Sequence, residues 1–112
     1  MSSVRDLIHG YQKEIRDTDL QPERAAELLT KLTALMGNTN DAIRECDAAY
    51  AVVLLNCLER EEKANRAKIR AEISPEYARK REARDAKELV IELVRSLRHY
   101  LRCLQEEMRL AR

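Results

Sequence analysis

The chain has no tryptophan and no phenylalanine, and its 112 residues include only two glycines, two prolines and four tyrosines. Runs of valine, isoleucine, threonine and aromatic residues, which are typical of β-strands, are also missing. What is present is mainly alanine, leucine, glutamate, arginine and lysine, and all of these favour helices. The composition therefore argues against a sheet and predicts an all-α fold.

The cysteines and the apolar runs are also few. The three cysteines form no C-x-x-C pair, and no apolar run approaches the ~20 residues that a membrane-spanning helix requires. An odd number of cysteines without a secretory leader is typical of a reducing compartment, so we predict a cytoplasmic protein. The length predicts a single domain over residues 1–112, with a core thin enough to favour association with a second copy.

Apolar residues at spacings of three and four predict four helices, at about residues 3–16, 22–36, 39–72 and 75–110. Gly37 is expected to end the second helix in the left-handed conformation, and one of residues 38–40 to cap the third. Ser74 is expected to cap the fourth helix, with Pro75 at its first position. The sequence thus predicts two short N-terminal helices followed by a long antiparallel hairpin of coiled-coil type.

The apolar seams of the two long helices mirror each other about Ser74. Alanines lie near Ser74 in both seams and larger residues lie far from it, as an antiparallel pair with a wide base and a thin tip requires. Around residues 50–58 the apolar residues extend beyond the seam, which predicts cover on more than one side and hence a homo-oligomer. The residues predicted to form the core and the oligomer contacts are Tyr50, Val53, Leu54, Leu58, Leu89, Val90, Leu93, Leu97, Tyr100, Leu101 and Leu104.

Positive charge is concentrated in residues 64–87, where eight lysines and arginines accompany four acidic residues, although the whole chain carries a net charge of only +1. A basic segment of this kind contacts nucleic acid, contacts an acidic protein surface, or is simply a solvated face. In the nucleic-acid interpretation the cations neutralise phosphates, and the one local tyrosine stacks on a base. The residues predicted to make these contacts are Arg66, Lys68, Arg70, Tyr77, Arg79, Lys80, Arg81, Arg84 and Lys87.

The chain also contains the E-x-x-E … E-x-x-D pattern of all-α nucleoside triphosphate pyrophosphatases, formed by Glu59, Glu62, Glu82 and Asp85. In such enzymes carboxylates on facing helices hold Mg²⁺. The phase of the seam, however, directs the first two carboxylates away from the partner helix. His99 and Cys103 stand one turn apart, but no second pair exists to complete a zinc site. We therefore predict no catalytic residue, no metal site and no cofactor.

From about residue 45 to residue 112, and most clearly in "EEKANRAKIRAEISPEYARK", the chain resembles small helical proteins of tailed phages. In these proteins a charged segment with SPEY joins a long, leucine-patterned C-terminal helix, and some are grouped with the phage recombination mediator UvsY. The resemblance implies a phage- or bacterium-encoded oligomer that binds single-stranded DNA and helps to load a recombinase. It assigns no individual site residue.

The leading hypothesis is therefore a non-enzymatic accessory protein of recombination or replication that binds single-stranded DNA through the basic tip of the hairpin. A module for protein–protein interaction, such as an adaptor, an inhibitor or an assembly chaperone, is the alternative from a different class. A Mg²⁺-dependent pyrophosphatase is the remote third. The predicted partners are a second copy of the chain, single-stranded DNA and a protein such as a recombinase, without a membrane.

Overall fold

The computed structural model describes residues 2–111, and every regular element in that range is an α-helix. The four helices are α1 (Ser2–Asp17), α2 (Pro22–Arg60), α3 (Ala64–Glu72) and α4 (Pro75–Leu110). The prediction of an all-α fold is confirmed. No helix in the described range is long and apolar enough to cross a membrane.

The second helix differs most from its predicted extent. It was expected to end at Gly37, but α2 continues through this residue for 39 residues in all. Neither glycine of the chain has a positive φ, so Gly37 lies in ordinary helical backbone. A glycine inside a helix costs about 1 kcal/mol, which packing on either side outweighs. Thr39, expected near a cap, is instead only 2% exposed within α2.

The predicted helix over residues 39–72 is interrupted, because α2 ends at Arg60 and α3 begins at Ala64. Lys63, just before α3, has extended backbone, with φ −106° and ψ 128°. The run "EREE" places three glutamates at the C-terminal end of α2, where the helix dipole disfavours negative charge. The acidic run thus gives a physical reason for the break, which the apolar pattern alone did not reveal.

The described helices fall into two compact units, and the first contains residues up to 38 together with those from 86 onward. Its buried core consists of Ile8, Ala25, Leu28, Leu32, Leu35, Val90, Leu93, Val94 and Leu97. Two polar contacts join its helices and connections. The Tyr100 hydroxyl donates to the Leu20 carbonyl at 2.5 Å, and the Arg24 guanidinium donates to both oxygens of Glu14 at 2.6 and 2.9 Å.

The second unit spans Thr39–Asp85 and contains the end of α2, all of α3 and the start of α4. Its buried apolar residues are Tyr50, Ala67 and Ala71. Alanines bury little apolar area, so this unit relies on the tyrosine and on polar contacts more than the first unit does. The second unit also carries every residue predicted to contact nucleic acid except Lys87.

Candidate nucleic-acid interface

The turn between α3 and α4 is fixed by one serine. The Ser74 hydroxyl donates to the Ala71 carbonyl at 2.5 Å and accepts from the Tyr77 N–H at 3.2 Å. The backbone N–H of Ser74 donates to the same Ala71 carbonyl at 3.2 Å. Ser74 therefore closes α3 and caps α4, which begins at Pro75 as predicted. The turn brings the cations of the two helices to the same part of the unit.

Two of the predicted phosphate ligands already hold carboxylates within the chain. Arg70 Nε lies 2.6 Å from Glu61, and the Arg84 guanidinium donates to Asp47 Oδ2 at 2.8 Å. Glu61 is the less exposed partner of the first pair, with 19% of its side chain exposed. Asp47 Oδ1 is buried and has no hydrogen-bond partner among the described residues. Both arginines thus stabilise the unit, and neither offers its full charge to a phosphate.

Tyr77 and Lys80 are engaged in a cluster around Tyr50. The two tyrosine rings are 5.3 Å apart between centroids and tilted by 56°, a favourable geometry for an aromatic pair. Lys80 Nζ lies 4.5 Å from the Tyr50 ring centroid, within the range of a cation–π contact. Burial raises the pKa of the Tyr50 hydroxyl. One face of Tyr77 is therefore used inside the protein.

Besides Arg70 and Arg84, four of the predicted residues are exposed cations: Arg66 and Lys68 on α3, and Arg79 and Arg81 on α4. No ion pair or hydrogen bond of these side chains occurs within residues 4–111. Lys87 is half-buried. Residues two positions apart lie about 200° apart around a helix, so each pair points to two sides. The four cations surround the turn instead of forming one stripe.

Sequence reasoning missed two aliphatic residues beside these cations. Ile69 and Ile73 are 62% and 79% exposed, one turn apart. Ile69 lies on the side of α3 opposite the buried Ala67 and Ala71, and Ile73 is the residue that directly follows α3. Their spacing could have identified them, because Ile69 and Ile73 lie two residues after Ala67 and Ala71. Exposed aliphatic side chains beside cations are suited to contact with the apolar parts of bases.

Neither the carboxylates of the E-x-x-E … E-x-x-D pattern nor the His99–Cys103 pair belongs to a set of metal ligands in the described range. No three His, Cys, Asp or Glu side chains there lie close enough together to hold a metal ion. His99 Nε2 and Cys103 Sγ are 3.6 Å apart on the exposed surface of α4, as a pair alone. Within the described part of a single chain, these residues therefore form no metal centre.

The residues predicted for the core and the oligomer contacts differ widely in burial. Leu58, at 43% exposed, is the most solvent-accessible of them, and two large residues outside that set, Val52 and Leu55, are 59% and 57% exposed. The buried members are Tyr50, Val90, Leu93 and Leu97, and the half-buried members are Val53, Leu54, Leu89, Tyr100, Leu101 and Leu104. Most of the predicted set thus packs within its own unit.

Comparison of the chain with protein-family models, with curated proteins and with solved structures gave no match. The resemblance to the phage proteins grouped with UvsY stays a prediction from residues 45–112.

Proposed function

We propose that the chain is a non-enzymatic helical accessory protein that forms a homo-oligomer and binds single-stranded DNA through the cations around the Ile73–Ser74 turn. The observation that carries the proposal is the exposure of Arg66, Lys68, Arg79 and Arg81 without an internal carboxylate in the described range. Such cations replace the counterions of phosphates, and the release of these ions drives binding.

The order of contacts in the second unit supports the hairpin part of the proposal. Asp47 contacts Arg84, whereas Tyr50, further along α2, contacts Tyr77, which is nearer the start of α4. Positions that pair in reverse order are those of two antiparallel segments. The proposed hairpin is shorter than the sequence indicated because of the break between α2 and α3.

Single-stranded DNA is favoured over duplex because apolar groups accompany the cations. Ile69 and Ile73 are exposed in the same stretch of the chain as Arg66 and Lys68, and bases that are not paired expose faces on which such side chains pack. In a duplex these faces are stacked on one another, so binding would depend mainly on the cations. A role in recombination, a recombinase partner and a cytoplasmic location belong to the same proposal and rest on the resemblance and the composition.

The test is the binding of a labelled oligothymidine, followed by fluorescence anisotropy between about 50 and about 200 mM salt. We compare the wild type with R79Q/R81Q and with R98Q/R102Q, a control that removes two exposed arginines from the other unit. The slope of log affinity against log salt is negative. If both arginines contact phosphates, this slope is shallower by about 1.4 in R79Q/R81Q than in the wild type. The control leaves the slope unchanged.

Two results would contradict the proposal. One is the absence of binding by the wild type at about 50 mM salt, where contacts with phosphates are strongest. The other is an equal loss of slope in the two variants, which would mean that net charge, and not the location around the turn, determines binding.

A protein–protein module remains the second candidate, because large apolar side chains such as Leu55 and Ile73 are exposed and exposed apolar groups commonly mark contacts with proteins. Capture of one defined partner after nuclease treatment, lost on Ile73→Glu, would favour this candidate. Capture that disappears with the nuclease would favour DNA.

A further inference from the structure

The segment of α2 in the second unit carries a second apolar face, which is exposed. Its members are all exposed and recur at spacings of three or four residues, so they follow one side of the helix. We call this set the outer stripe, and it consists of Ala48, Ala51, Val52, Leu55 and Leu58.

The outer stripe is separate from the face by which α2 packs into its own unit. That inner face is formed by Cys46, Tyr50, Val53 and Cys57, which are buried or half-buried. At about 100° per residue, the centres of the two faces lie roughly 165° apart around the helix axis. Residues of the outer stripe therefore add nothing to the core of the unit and leave large aliphatic groups in water.

The charges at the two ends of the outer stripe are opposite. Arg44 precedes Ala48 by one turn and Glu59 follows Leu55 by one turn, on the same side of the helix. Both are exposed and lie roughly 22 Å apart along the axis. The ion pair that Arg44 makes within the chain is with Asp41 at 3.9 Å, a long contact between exposed groups. Arg44 therefore stays accessible to another carboxylate.

A stripe with a cation at one end and an anion at the other is complementary to its own reversed copy. We propose that the outer stripe is the surface by which two copies of this chain associate, with their α2 helices antiparallel across a two-fold axis near Ala51 and Val52. Arg44 of one copy then faces Glu59 of the other, twice by symmetry. The alanines at positions 48 and 51 let the two helix backbones approach closely.

Other arrangements fit these residues less well. A parallel pair would place Arg44 against Arg44 and Glu59 against Glu59, and like charges oppose association. The small apolar core of the unit, which consists of Tyr50, Ala67 and Ala71, also gives the second unit a reason to bury more apolar surface. This inference rests on the self-association included in the proposed function. It specifies the helix face through which two copies associate and the antiparallel orientation of their α2 helices.

The first test is the mass of the full chain by sedimentation equilibrium without nucleic acid. The wild type is expected to dimerise, and V52E/L55E to raise the dimer dissociation constant by about a hundredfold or more. Met108→Glu, which introduces a charge at a residue 65% exposed in the other unit, is the control and leaves the constant unchanged. All three sites are exposed, so thermal melts by circular dichroism should show folded proteins.

The second test exchanges the charges. Arg44→Glu and Glu59→Arg each replace two attractive contacts by two repulsive ones, and each should weaken the dimer by about fivefold to thirtyfold. The two changes in one chain restore the opposite charges and should return the constant to within about threefold of the wild type. A parallel dimer gives no such restoration, and that result would overturn the inference.

The outcomes for self-association and for DNA are distinguishable. A wild type that stays monomeric but binds oligothymidine overturns the assignment of the outer stripe and leaves the binding of DNA intact. A wild type that dimerises through the outer stripe but does not bind oligothymidine supports the inference and overturns the proposed ligand.

Discussion

Replacement of Gly37 by alanine tests the continuity of α2 by the sign of its effect on stability. Gly37 lies within α2 with negative φ, and apart from its chain neighbours and the adjacent backbone of its own helix no atom lies within 4 Å of the position of an alanine Cβ. Alanine should therefore fit without strain and stabilise the protein. If Gly37 instead ended a helix in the left-handed conformation, as the sequence pattern indicated, alanine would destabilise it.

The magnitude follows from helix propensity and chain length. Glycine is about 1 kcal/mol less favourable than alanine inside a helix. With an unfolding entropy of about 2.1 cal/mol/K per residue, the 112 residues correspond to about 240 cal/mol/K. Gly37→Ala should therefore raise the melting temperature by about 4 °C. A left-handed residue would lose about 1–2 kcal/mol on the same change, and the melting temperature would fall.

The assay is thermal and urea unfolding followed by circular dichroism at the helix band. Gly10→Ala is the matched control, because Gly10 lies in α1, is exposed and likewise has no atom within 4 Å of a built Cβ. Both single variants should gain about 1 kcal/mol and the double variant about 2 kcal/mol. A lower melting temperature for Gly37→Ala alone would refute a continuous α2.

Two further predictions concern the turn and the first unit. Ser74→Ala removes the hydroxyl that caps α4, so unfolding free energy should fall by about 1 kcal/mol in urea titrations; Ser74→Asp, which keeps an acceptor, should lose less, and equal losses would contradict the cap. The Arg24 guanidinium lowers the pKa of Glu14, so this pair adds stability at neutral pH that disappears as the pH falls through the lowered pKa. The stability difference between wild type and Glu14→Gln should therefore shrink on acidification in urea titrations, and a pH-independent difference would contradict the ion pair.

Several parts of the fold could be predicted because their causes are local. The period of the apolar residues locates α1 and α4, and the Ser-Pro pair places the start of α4 at Pro75. The end of α2 could not be located in this way. A glycine followed by polar residues is a common helix end, and the structure shows instead that α2 continues through it and buries Thr39.

The cations show why a count of charges overstates a binding surface. Arg84 pairs with Asp47, 37 residues earlier, and Arg70 pairs with Glu61 across the break that follows α2. Neither partner stands three or four residues away, so the spacing rules for helical ion pairs could not identify them. The number of cations available to phosphates is thus set by tertiary contacts, which the sequence does not display.

The apolar residues around positions 50–58 also show what the sequence alone cannot predict. The sequence indicates more apolar residues than one seam requires. From this stretch the predicted set for the core and the oligomer contacts includes Val53, Leu54 and the exposed Leu58, but not Val52 and Leu55. Within one helical turn the inner and outer faces alternate, and the residue types are the same, so hydropathy cannot separate them. Burial separates the two faces, because the inner residues are covered by their own unit. Only then does the opposition of Arg44 and Glu59 along one face become visible, and the proposed antiparallel direction of a second copy follows from it.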